Sequence, residues 1–214
     1  FGVAPGCMDS MVNKYTAARR LRSEDAYSPD GRHDMRPEYP TIVYTKILRQ
    51  LYPDVPVVLG GIEASLRRVM HFDYWQERFR PSILVDSNAD MITYGMGEKP
   101  TIELCRRLTD ALEESHPSLY YDENGYSYIT RDTFRHVAQL ENEIPQTVSL
   151  YDHSHIPGGI REDDIVLHSY EKCLKEPRLH ADNFRHVEEE SNKLHAQRLL
   201  QQTNGQWVVV NPPY

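Results

Sequence analysis

The chain has 214 residues, 39% of them hydrophobic, and a formal net charge of −8, enough for one core and a smaller appendage. The acidic balance excludes a nucleic-acid surface spread over the whole molecule, and no apolar run approaches the ~18 residues of a membrane span. Cys7, Cys105 and Cys173 are odd in number and form no CxxC or CxxxC, which argues against a disulfide scaffold, excludes a four-thiolate metal site within the chain, and makes a reducing, cytoplasmic setting the expectation.

The opening "FGVAPGCMDSM" has no basic leader and starts without Met inside an apolar segment, so it reads as part of a longer chain and not as a secretory signal. "FGVAPG" predicts a buried strand and a turn, and Met8 to Leu21 a helix capped by Asp9 or Ser10. A long polar loop follows to Pro40, then a helix to Leu51 with Ile42, Val43, Ile47, Leu48 and Leu51 on one face, stopped by Pro53. "VPVVLGG", Val55 to Gly61, reads as a strand buried on both faces, and "EASLRRVM" as a helix. After a mixed segment around Pro81, "DMITYG" is the next buried strand, and Lys99 to Glu114 an amphipathic helix with Ile102, Leu104, Cys105, Leu108 and Leu112 on its apolar side.

Beyond His116 the texture changes. Asn124-Gly125 predicts a small hairpin. "IPQTVSLYDHSHIPGGIREDD" reads as loop, Glu162 to about Leu200 as charged helix, and Trp207 to Val210 as a strand. The alternation of helix, strand and glycine turn predicts an α/β fold with an open parallel, Rossmann-like sheet over residues 1–116. Residues 117–214 are expected to form a mainly helical connector. A sheet lacking its first strands would leave an unpaired edge that pairs with a second copy.

Ligands of open α/β sheets bind at the carboxyl ends of the strands. Gly60-Gly61 and Gly95-x-Gly97 fall there, where glycine lets backbone approach a ligand and the next helix start offers free N–H groups. The plainer reading is a tight strand-to-helix turn, since neither matches a full GxGxxG or a P-loop. Glu63 and Glu98 would repel a phosphate and suit helix caps or a hydroxyl- or amide-bearing partner. His153-Ser154-His155 beside Asp152 is too small a set for a metal site. Arg68, Arg78 and Arg80 among the aromatics of "HFDYWQERFR" can stack bases or grip a carboxylate, although such aromatics are more often core.

Three long motifs carry more information than any glycine pair: "MDSMVNKYTAARRLRSEDAYSPDG" from Met8, "IVYTKILRQLYPDVPVVLGGIEASLRRVMHFDYW" from Ile42, and "ILVDSNADMITYGMGEKPTIEL" from Ile83. Together with the tail from "SYEKCLKEP" to "WVVVNPPY" they resemble the YgiQ family of radical SAM proteins. That resemblance implies an N-terminal domain similar to cobalamin-binding domains, followed by a radical SAM barrel. The barrel's CxxxCxxC would hold a [4Fe–4S] cluster and S-adenosylmethionine. "VVLGGIEAS" and "ADMITYGMGE" match turns that line the ligand edge in cobalamin-dependent relatives, which implies Gly60, Gly61, Glu63, Ser65, Gly95, Gly97 and Glu98 as cofactor-facing residues. Neither CxxxCxxC nor the lower-axial DxHxxG of base-off cobalamin proteins occurs in this chain. Cluster and S-adenosylmethionine are thus expected elsewhere in the parent protein, and the missing axial motif counts against cobalamin.

The expectation is an accessory domain that shapes the substrate cleft against the parent's own barrel, with Tyr15, Thr16, Arg19, Arg20 and Arg22 facing substrate and no catalytic or metal-binding residue of its own. Two alternatives remain open. One is a cobalamin carrier without a protein axial ligand. The other is a docking module for RNA or another macromolecule that uses the arginine cluster. The substrate is not indicated.

Overall fold

The structure is a computed structural model that describes residues 1–6, 8–113, 119–121, 123–125, 127–138, 143–152, 156 and 158–213. Strand β1 (Gly2–Val3) is followed by α1 (Ser10–Lys14), α2 (Pro40–Leu51), β2 (Val58–Leu59) and α3 (Gly61–Leu66). A small hairpin of β3 (His71–Asp73) and β4 (Arg78–Arg80) leads to α4 (Ile83–Ser87), β5 (Met91–Thr93) and α5 (Glu98–Glu113). Then come β6 (Leu119–Tyr121), β7 (Ser127–Ile129), α6 (Arg131–Ala138), β8 (Thr147–Asp152) and β9 (Ile165–Val166). The chain closes with α7 (Tyr170–Lys175), α8 (Arg178–Ser191), β10 (Leu199–Thr203) and β11 (Gln206–Val210).

Seven strands form one open sheet in the order β1-β2-β5-β8-β11-β10-β9. The α/β, Rossmann-like expectation holds, and β1, β2 and β5 are its parallel part, in register Gly2↔Val58 and Val58↔Met91. The sheet as a whole is mixed, because β8 runs antiparallel to β5, β11 antiparallel to β8 and β10 antiparallel to β11, while β9 lies parallel to β10. Residues beyond 117, expected as a mainly helical connector, therefore supply four strands of this sheet. Asn204 (φ 50°) and Gly205 (φ 78°) turn β10 into β11, the left-handed pair that a two-residue hairpin needs.

Local chemistry sets the helix lengths. The Asp9 carboxylate accepts from the N–H groups of Met11 and Val12 and starts α1. The expected helix to Leu21 stops at Lys14, where Tyr15 turns extended and pairs back on Leu21. The Arg22 guanidinium donates to the Val12 and Tyr15 carbonyls, both at 3.1 Å, and so satisfies groups that the helix end leaves open. In α2 the buried side is Thr41, Ile42 and Thr45, with Thr45 Oγ1 donating to the Thr41 carbonyl, while Ile47 and Leu51 are exposed.

The main core packs Val57, Leu59, Ile83, Leu84, Ile92, Val148 and Val208, all essentially inaccessible, between the sheet and α2 to α4. Burying each such side chain is worth about 1.5–3 kcal/mol. On the opposite face Met91, Leu104, Phe134 and Ile144 form a second cluster under α5 and α6. Leu104 is buried as expected, but Ile102 and Cys105 of the same predicted face are exposed.

Candidate functional site

The carboxyl ends of β1, β2 and β5 meet at Thr93. Its hydroxyl donates to the Leu59 carbonyl, and it sits where a Cβ on Gly60 or on Gly97 would come within 3.5 Å. Gly61 (φ +81°) faces the Gly6 carbonyl, and a Cβ there would lie 3.3 Å away. Gly95 (φ +65°) lies under the Gln146 amide, which donates to the carbonyls of Tyr94 and Met96 and would stand 2.9 Å from an added Cβ. Ser65 ties the two turns together, donating to the Gly61 carbonyl at 2.8 Å and accepting from the Gly95 N–H at 3.1 Å. Sequence reasoning thus brought Gly60, Gly61, Ser65, Gly95 and Gly97 to one rim, with Glu98 exposed at the first position of α5.

Glu63 does not belong to that rim. It is 1% exposed and pairs with Arg67, whose other arm reaches Asp9 at 2.8 Å. Burial pushes the Glu63 carboxyl up, and the Arg67 guanidinium pulls it partly back. One turn into a helix, position 63 faces inward, so a residue expected to meet a cofactor braces α3 against α1.

The Tyr15–Arg22 segment docks elsewhere, on the loop of the β3–β4 hairpin. Tyr15 stacks on Trp75 with ring centroids 5.4 Å apart and donates to Glu38, which holds its phenol up at about 12. Arg19 pairs with Glu77 at 2.5 Å and lies over the Tyr74 ring at 4.5 Å. Thr16 accepts from the Arg20 N–H, and Arg22 is used on backbone carbonyls. Arg20 is exposed. No side-chain contact among the described residues joins this group to the glycine rim. The cluster expected to meet substrate or RNA spends much of its charge on the protein itself.

Along one face of β1 and β2 runs a groove of about 750 Å³, from Val55 and Pro56 at the strand starts to Gly60 and Thr93 at their ends. Leu104, Leu108 and Phe134 form its far wall. Mostly apolar with a few polar groups at one end, it has the size and character of a small-molecule site.

Arg68, read in the sequence with Arg78 and Arg80 as able to stack bases or grip a carboxylate, lies between the rim and α8. Its guanidinium lies over the Tyr94 ring at 5.1 Å, donates to the Ser65 carbonyl at 2.8 Å and reaches Ser191 Oγ at 3.3 Å. It therefore joins the glycine rim to α8. Burial lowers its pKa, and it forms no ion pair among the described residues. The aromatic and arginine composition of positions 68–80 was the signal that pointed to it.

Two of the four rim glycines, Gly61 and Gly95, are closed against a corrin. The space beside Gly61 and Gly95 is taken by the Gly6 carbonyl and Gln146, Thr93 is in ordinary contact distance of Gly60 and Gly97, and the Gly95 N–H is bonded to Ser65. Among the described residues no group of three or more His, Cys, Asp and Glu side chains is placed to hold a metal ion. Cys7 and His153 to His155 lie outside the described residues. Among the described residues no helix is long and apolar enough to cross a membrane.

Comparison with known proteins bears on the whole chain. The family model described as Radical SAM N-terminal matches residues 1–214. The chain is 53% identical over 214 residues to a UPF0313 protein of Bacteroides thetaiotaomicron, covering all of this chain and 32% of that one. It is 49% identical to a UPF0313 protein of Porphyromonas gingivalis, with 100% and 30% covered. Against the UPF0313 protein YgiQ of Escherichia coli K12 the identity is 35% over 240 residues, with 100% and 32% covered. The chain therefore spans about a third of the length of these curated relatives. No solved structure matches it.

Proposed function

The chain belongs to the Radical SAM N-terminal family, and from that premise we propose that it is the accessory domain of a radical SAM enzyme and shapes that enzyme's substrate cleft. The [4Fe–4S] cluster and S-adenosylmethionine are held by the remainder of a longer, cytoplasmic protein. The single observation that carries the cleft role is the groove of about 750 Å³ that extends to Gly60 and Thr93, at the carboxyl end of the parallel strands. The rim glycines serve to let α3 and α5 start close against the sheet, so the groove, and not the glycine edge, is the surface offered to a substrate.

The test is anaerobic reconstitution of the full-length protein with iron, sulfide, S-adenosylmethionine and hydroxocobalamin, read by absorbance and mass spectrometry after desalting. The expected result is a cluster and bound S-adenosylmethionine without retained corrinoid. A protein that takes up no cluster overturns the radical SAM reading. Stoichiometric corrinoid overturns the cleft role in favour of a cobalamin carrier.

A further inference from the structure

A second cavity, of about 490 Å³, lies between the α3–β3 connection and α8. Arg68 and Ser191 line it on one side, and Phe72, Leu167 and Phe184 give it an apolar wall. We propose that this cavity is a binding site for a small organic carboxylate with an apolar body, its carboxylate held by the Arg68 guanidinium.

Three observations carry the proposal. First, Arg68 is a part-buried cation that makes no close ion pair among the described residues and is offset only by the exposed Glu188 and the Tyr94 ring, whereas Arg67, Arg80 and Arg198 all have carboxylate partners. A desolvated guanidinium without an anion is costly unless an anion arrives. Second, its Nε is buried and without a hydrogen-bond partner, while its Nη2 makes only the long contact to Ser191, itself a lining residue. The Nε–Nη2 edge is the fork that accepts a carboxylate in two parallel bonds. Third, the cavity carries a second orphan, His180 Nδ1, buried and without a partner. Phe184 is 58% exposed at the opening, a large aromatic left uncovered beside these polar groups.

The charge balance selects the ligand class. Glu188 also lines the cavity and is exposed at its edge. With Glu188 already offsetting part of the Arg68 charge, the site tolerates no more than a single negative charge on a ligand. A phosphate dianion would leave excess negative charge beside Glu188. The site is distinct from the groove on the β1–β2 face, and it stands whether or not that groove takes a substrate.

Binding is tested on the full-length protein with phenylacetate and its neutral isostere phenylacetamide, by saturation-transfer NMR and titration. Phenylacetate is expected to saturate, with phenylacetamide about tenfold weaker or more. Arg68→Gln should weaken phenylacetate by about tenfold or more and Arg68→Lys by less, since Lys keeps the charge but loses the fork. Glu188→Gln should tighten it about two- to threefold by removing a like charge. Phe184→Ala, at an exposed position, should weaken phenylacetate and phenylacetamide alike, which keeps the test usable if Arg68→Gln does not fold. Equal binding of the two probes, no saturation by phenylacetate, or an affinity indifferent to Glu188→Gln would each overturn the proposal.

Discussion

Asp90, at the start of β5, shows how single charges hold this molecule. Its buried carboxylate accepts from the Val57 N–H at 2.8 Å and gathers Arg49, Arg131 and Arg135, the last two at 2.8 and 3.1 Å. One carboxylate thus ties α2 and α6 to the sheet from opposite faces. His71 sets a pH limit of a different kind. Burial, followed by the nearby Arg67 charge, lowers its pKa from 6.5 to about 4, against smaller opposing effects of the Val69 carbonyl and Asp73. The unfolded chain binds a proton at this ring below about pH 6.5 and the folded chain only below about 4, so stability is full above 6.5 and falls as pH drops through that window. With allowance for the ring's partial exposure, the loss is roughly 2 kcal/mol. Urea midpoints from pH 8 to 4 should decline for the native chain and flatten for His71→Gln, with a residual slope from His180, whose pKa burial also lowers. An unchanged slope in His71→Gln would assign the effect to another group.

At the scale of elements, the two glycine turns decide between a structural and a ligand-facing role. Gly95→Ala meets both a left-handed backbone (φ +65°) and the Gln146 amide at 2.9 Å. It should cost about 1–3 kcal/mol in thermal or chemical unfolding. Gln146→Ser should recover part of that cost in the double variant, because it clears the contact but not the backbone strain. Strict additivity would mean that the amide does not press on the glycine. The turns themselves were legible in sequence, since a glycine pair between an apolar run and a helical pattern has few other uses. The position of Gln146 was not, because it comes from a segment fifty residues on. Strand β8 was missed for a related reason. "TVSLYD" lies between Pro145 and the Pro-Gly stretch after it, and its alternation of Val148 and Leu150 with Thr147 and Ser149 spans only four residues. Its Thr147 and Ser149 are nevertheless buried, and Thr147 is bonded by Asn211, with Asn211 N–H to the Thr147 carbonyl at 2.9 Å and Asn211 Nδ2 to its Oγ1 at 3.1 Å. A polar residue satisfied by a distant partner looks like loop until the partner is in place. Strand β10 was read as the end of a helix, although Asn204-Gly205 after it is a hairpin signal.

For the whole molecule, the placement of β8 has a direct consequence. Met91 and Ile92 of β5, 1% and 0% exposed, lie in a strand whose outer edge pairs with β8, and Met91 packs in one cluster with Phe134 and Ile144, all from beyond residue 117. A chain ending at residue 116 would bare the β5 edge and the apolar faces beside it. It should be unfolded or aggregated by circular dichroism and size-exclusion chromatography, and a monomeric, cooperatively melting product would mean that the first half is an independent domain. By itself, the sequence determined the α/β class, the parallel β1-β2-β5 core, the glycine rim and the family, because apolar runs, turn residues and long motifs are local properties of the chain. Only the tertiary structure decided that the second half completes the sheet, that Glu63 turns inward, and that Tyr15 to Arg22 dock on a hairpin. It also decided that Arg68 makes no close ion pair among the described residues and is set beside the rim and α8. Each of these depends on which distant group arrives opposite a side chain, and charge pairing and burial across fifty to a hundred residues leave no periodic trace in the sequence.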